Sequence, residues 1–136
     1  MRLGTQTRWR AQRGQTVVEA AFVFPLIFLV VLFVFELGWL MYTYSVMADA
    51  VNEGVRYAIV HSGGDPAGTQ AKVKTFAATS LHNISAMTPS VTFPDGSSTP
   101  PSRVRVTITY TYIPYLPKFI NAPTMNTYAE GRMVVQ

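Results

Sequence analysis

Two carboxylates stand where carboxylates are rare. Glu19 opens a long apolar stretch and Glu36 interrupts it, while Ala20–Phe35 carries no polar side chain at all. A carboxylate at the centre of a membrane costs about 2.5–3.5 kcal/mol, so such groups have a partner or reach for an interface. Glu19 and Glu36 lie near opposite ends of the run, where that cost is smaller. At Glu19 the negative charge also suits the positive end of a helix macrodipole. At Glu36 two readings stand side by side, a side chain reaching for the interface and an intramembrane contact. Other reactive chemistry is sparse. With no cysteine, disulfides, thiolate metal sites and cysteine nucleophiles are excluded. His61 and His82 are isolated, and the sequence holds no phosphate-cradling glycine motif, paired-histidine motif or serine elbow. Asp65 and Asp95 sit beside Gly and Pro, where turn chemistry explains them; a calcium site at Asp95 lacks the further oxygens it needs. Arg103, Arg105 and Lys118 lack aromatic interleaving and make a poor nucleic-acid patch. No catalysis, cofactor, metal or nucleic-acid partner is expected.

The elements that position these groups begin with the apolar run. From Ala20 to Tyr42 it holds a single charge, Glu36, and a bilayer core needs about 20 helical residues. Hydrophobic residues make up 49% of the chain and charged ones only 13%, against roughly 25% charged in globular proteins. Some of the apolar surface therefore answers to lipid. Trp39, Tyr42 and Tyr44 close the run with rings suited to the headgroup layer. Arg2, Arg8, Arg10 and Arg13 precede it and account for the whole net charge of +4. By the positive-inside rule the N-terminus is cytoplasmic and the remainder exported. A cleaved secretory signal with its site at Ala48-Asp49-Ala50 fits less well, because the apolar run exceeds an ordinary signal core; an uncleaved anchor fits by composition. Pro25 cannot donate to the carbonyl of Ala21, so a kink or a melted turn is expected there. Small Ala20 and Ala21 leave room for a neighbouring helix.

Beyond the membrane, Met47, Val51, Val55, Ala58 and Ile59 recur at helical spacing and extend the helix as a stalk. Arg56 lies three residues after Glu53, a spacing suited to a weak ion pair. Gly54 within that pattern marks close packing or a break. Ser62–Pro66 ends the helix. A second helix is expected near Gly68–Asn83 with an apolar stripe through Val73, Phe76, Ala77, Leu81 and Ile84. A short strand at Thr88–Phe93, a strong alternating strand at Arg103–Ile113 and a final strand at Tyr128–Val135 follow. Val104, Val106, Ile108, Tyr110 and Tyr112 form the covered face of the middle strand. Tyr110, Tyr112 and Tyr115 are expected in the sheet core rather than on an adhesive surface. The fold class is α+β: a long N-terminal transmembrane and stalk helix, then a small exported domain with a helix packed on a short antiparallel sheet. The divisions expected are a basic leader at 1–14, the helix at 15–62 and the exported domain at 63–136.

The stretch Arg13-Gly14-Gln15-Thr16-Val17-Val18-Glu19, a basic leader, a glycine and a Glu five residues on, resembles a class III signal peptide. Over residues 13–60 the chain resembles the TadE-like family of minor pilins or pseudopilins of Tad/Flp pilus systems. The shared features are Gly14, Glu19, Pro25, the Glu36-Leu37-Gly38 triplet and Asn52-Glu53-Gly54-Val55-Arg56-Tyr57-Ala58. The resemblance implies cleavage between Gly14 and Gln15 by a prepilin peptidase and assembly through the apolar helix. It also implies partners among other Tad/Flp pilins and minor pilins, the inner-membrane assembly machinery and the lipid bilayer. Localisation would be the inner or cytoplasmic membrane, with incorporation into an extracellular pilus. Gln15 stands where type IV pilins often place Phe, and Ala20 where major Flp pilins place Tyr; these departures favour a minor subunit. Cleavage would put an α-amino group on Gln15, able to neutralise the Glu19 of a neighbouring subunit and so favour one register. The alternative is an unprocessed, single-pass, membrane-anchored binding or adhesion module.

Overall fold

The computed structural model describes residues 6–115 and 121–134, with side chains from Gly14 onward except that of Ser62. The chain falls into two compact units, Met1–Gly38 and Trp39–Gln136. One helix, α1, runs from Gln6 to Val60, starting before the apolar run and ending where Ser62–Gly64 tightens into a 3₁₀ turn. Gly63 and Gly64 there hold φ of 62° and 69°, the left-handed region that an L side chain rarely enters.

The second unit holds the α+β elements expected, together with the C-terminal part of α1. Helix α2 spans Pro66–Ala78, shorter than the sequence stripe suggested and starting two residues earlier. Pro66 occupies its first turn, where its missing N–H costs nothing. Asp65 caps it, accepting from the Gly68 amide at 3.2 Å. At the other end the stripe residues Leu81 and Ile84 still pack on the core, but from a turn beyond the helix. Strands β1 (Met87–Thr92), β2 (Arg103–Thr111) and β3 (Thr124–Arg132) form one antiparallel sheet in the order β1-β2-β3. The register pairs Met87 with Tyr110, and Arg103 with Arg132. β3 begins four residues before the position read from sequence. Its inward residues there, Met125 and Thr127, include a polar one, so the alternation of hydropathy was faint. Pro89 sits on edge strand β1, a position where its missing N–H is tolerated.

The core lies between the second half of α1, helix α2 and the inner face of the sheet. Met47, Ala50, Val51 and Val55 of α1 join Val73 and Ala77 of α2 and Val106, Ile108 and Tyr110 of β2, all buried. The alternation read along β2 holds, with Val104, Val106, Ile108, Tyr110 and Tyr112 enclosed. Gly54 is the contact point of three elements and does not break the helix: a Cβ there would lie 2.5 Å from Val73 Cγ2 and 3.2 Å from Val106 Cγ1. Gly131 on β3 plays the same part beneath Val55 and Ile59. Glu53 reaches Lys72 of α2 at 3.6 Å. That tertiary pairing replaces the Glu53–Arg56 contact suggested by helical spacing.

Candidate functional site

The groups singled out by sequence lie along the first half of α1. Gly14 and Gln15 are helical and exposed, and a Cβ at Gly14 would meet nothing within 4 Å. Its small side chain is therefore not demanded by packing within this chain. Glu19 is exposed and follows Gln15 by four residues, so the two share a helix face one turn apart. The helix continues through Pro25. The melted turn is not seen there, although the ring still deprives Ala21 of its donor.

From Phe22 to Phe35 the apolar side chains are open on every side of the helix, Phe22 at 77% and Phe35 at 73% of full exposure. The stretch is long and apolar enough to cross a membrane, and none of its most apolar window is buried. A core helix of a soluble protein shows one apolar stripe; a helix apolar all round requires lipid or other helices about it. Glu36 departs from this pattern: it is 4% exposed, whereas adjacent Phe35 and Leu37 are open.

The remaining polar groups resolve into structural roles. Tyr57 donates its hydroxyl to Asp65 at 3.2 Å and stacks on His61, whose Nδ1 lies 2.7 Å from the Tyr57 carbonyl oxygen. Burial and the neighbouring Asp65 carboxylate push the Tyr57 hydroxyl up in pKa. Asp95 accepts from the Arg103 side chain at 2.7 Å and from its backbone N–H at 2.8 Å. Arg105 pairs with Glu130 and lies 5.1 Å over the ring of Tyr128. Both arginines thus pair with carboxylates of the same sheet and its adjoining loop. Lys118 lies outside the described residues. Among the described residues no group of three potential metal ligands occurs.

The side-chain and backbone hydrogen bonds from Arg103 hold the Asp95 carboxyl below its ordinary pKa. A carboxylate depressed in the folded state stabilises the fold above the free-Asp range, about 3.9, and loses that contribution as pH falls through its folded value. Asp95→Asn should therefore lower the domain's thermal stability at neutral and alkaline pH, where the carboxylate is charged, change it little once the pH is below the folded value, and so flatten the acid limb. Thermal unfolding followed across acid to neutral pH measures this, and an unchanged acid limb would contradict it.

One grouping was not legible in the sequence. Trp39 of α1 packs against Tyr42 at 5.3 Å, His82 at 6.4 Å and Tyr115 at 5.9 Å between ring centroids. His82 and Tyr115 stack at 5.5 Å. Tyr110 and Tyr112 are enclosed as expected, but Tyr115 is 60% exposed, because β2 ends at Thr111 and the chain has left the sheet before Tyr115. The indole N–H of Trp39 and the hydroxyl of Tyr110 are buried without a hydrogen-bond partner among the described residues.

The chain thus combines a helix apolar all round with a small α+β domain. The comparison with protein families bears on the same helix: residues 14–56 match the family described as TadE-like protein. The chain thus carries a TadE-like segment, from a family of structural pilus components, and the match starts at Gly14. Comparison with curated proteins and with solved structures finds no match.

Proposed function

We propose that this chain is a minor pilin or pseudopilin-like subunit of a Tad/Flp-type pilus, cut after Gly14 and assembled through its apolar helix. The observation that carries the reading is the exposed apolar surface around α1, which begins just after Gly14 and lies within the segment that the family matches. Before assembly that surface is satisfied by lipid, with the leader arginines cytoplasmic and the α+β domain exported. After assembly the helices of neighbouring subunits take the place of lipid. Cleavage removes the four leader arginines and places an amine on Gln15, on the same helix face as Glu19. The partners are then a prepilin peptidase, other pilins and the inner-membrane assembly machinery. The helical state of Gly14 implies that a peptidase must locally unwind the chain there, which a glycine without side-chain contacts permits.

Intact mass measures the proposal directly. Co-expressed with its peptidase, the wild-type protein should begin at Gln15 and Gly14→Val at Met1, with processing lost outright in the variant. A wild-type protein that keeps Met1 in the assembled fibre overturns the proposal and leaves the unprocessed, anchored binding module in its place.

A further inference from the structure

We infer that Tyr42, His82 and Tyr115, gathered around Trp39, form a patch that seats the α+β domain on the lipid headgroup layer of the membrane holding α1. The inference rests on the membrane-spanning part of the proposed function and is independent of cleavage.

The placement follows from helix length. Trp39 stands twenty residues beyond Glu19 in the continuous helix α1. At 1.5 Å per residue that rise is about 30 Å, the thickness of a bilayer's hydrocarbon core. With Glu19 at one interface, Trp39 falls at the other. Tertiary folding then brings two further amphipathic rings to this level from far along the chain. His82 comes from the turn after α2, and Tyr115 from the segment after β2. Both are exposed, as is Tyr42.

The roles within the patch differ. The Trp39 indole N–H is enclosed, so Trp39 serves as the floor on which the others rest. The outward rings of Tyr42, His82 and Tyr115 combine apolar faces with polar edges, the chemistry that favours the headgroup layer over either water or hydrocarbon. Tyr128, exposed on the outer face of the sheet beside Arg105, belongs to a different surface and should stay in water.

The test uses the full chain in phosphatidylcholine–phosphatidylglycerol vesicles containing lipids brominated at shallow or deep acyl positions. In a background of Trp9→Phe and Trp39→Phe, Tyr115→Trp provides one emitter at the patch and Tyr128→Trp one away from it. Emission from position 115 should be quenched at least about twofold more by shallow than by deep bromines, with position 128 unquenched. Because the chain lacks cysteine, a nitroxide on Tyr115→Cys gives a second reading with Trp39 intact, and should collide with oxygen more than with a water-soluble nickel chelate. Vesicle-bound protein with position 115 unquenched and its nitroxide open to nickel overturns the inference while leaving the anchor in place. Equal quenching at 115 and 128 also overturns it. Protein that fails to float with the vesicles overturns both the patch and the membrane anchor.

Discussion

Gly54→Val is expected to lower the thermal unfolding temperature of the α+β domain by roughly 12–24 °C, the equivalent of about 3 kcal/mol in a domain of this size. The first added carbon would stand 2.5 Å from Val73 Cγ2 and 3.2 Å from Val106 Cγ1. Neither neighbour yields cheaply. Val73 is β-branched and helical, which leaves it one strongly preferred rotamer, and Val106 is enclosed on the central strand. Overpacking by a single group costs about 1–3 kcal/mol, and Val adds three carbons. Gly54→Ala should lose less, because Ala recovers about 1 kcal/mol of helix propensity. Gly38→Ala is the control: its Cβ would meet nothing within 4 Å, so the domain's stability should not fall. Near-ultraviolet circular dichroism of detergent-solubilised protein reads all three. An unfolding temperature for Gly54→Val equal to that of the parent would refute the tight α1–α2–β2 contact.

Glu19→Gln should leave membrane insertion and cleavage intact yet lower incorporation into fibres by at least about a hundredfold. The estimate follows from the roughly 3–5 kcal/mol lost when one partner of a buried ion pair is removed, at about 1.4 kcal/mol per tenfold. In the proposed fibre the Gln15 amine of one subunit meets the Glu19 carboxylate of the next, in a setting built of apolar side chains. Removing the carboxylate strands the amine in low dielectric. Quantitative immunoblotting of sheared fibres against membranes measures the ratio. Undiminished incorporation would sink the pairing and leave Glu19 a simple helix-terminus charge, worth about 0.3–1 kcal/mol.

The acid dependence of Asp95 and the headgroup patch involve smaller effects, because both sit at the surface. Asp95 and Arg103 remain partly exposed, and water screens such pairs. They tune the loop between β1 and β2 rather than hold the core.

Much of this architecture is local and so legible from residue order. The apolar run is a matter of length and composition, which lipid reads without any fold. The alternation along Val104–Tyr112 has the period of a strand, whereas Asp65 and Pro66, which read as a turn in residue order, cap and open α2. Gly14, Gln15, Glu19, Pro25 and Glu36 are positions in a linear motif, and a linear motif needs no tertiary contact to be recognised.

What residue order could not convey was which distant groups meet. The end of α2 at Ala78 reflects the chain turning at Thr79 and Ser80, while its apolar stripe continues because Leu81 and Ile84 still face the same core. The start of β3 was hidden because Thr127 is buried yet polar, a burial that only pairing with β2 explains. Glu53 found Lys72 rather than Arg56, since helix α2 brings a lysine across from another element. Gly54 and Gly131 could be recognised as close contacts only once Val73, Val106, Val55 and Ile59 were in place around them. Trp39 was legible with Tyr42 and Tyr44 as rings closing the apolar run; His82 and Tyr115 joined it because the segments after α2 and β2 converge there. The sequence by itself thus determined where the run apolar enough to cross a membrane lies and which elements follow it, since both depend on neighbouring residues. The tertiary structure alone decided the partners of each charge, glycine and ring, because those depend on separations in space that chain order does not encode.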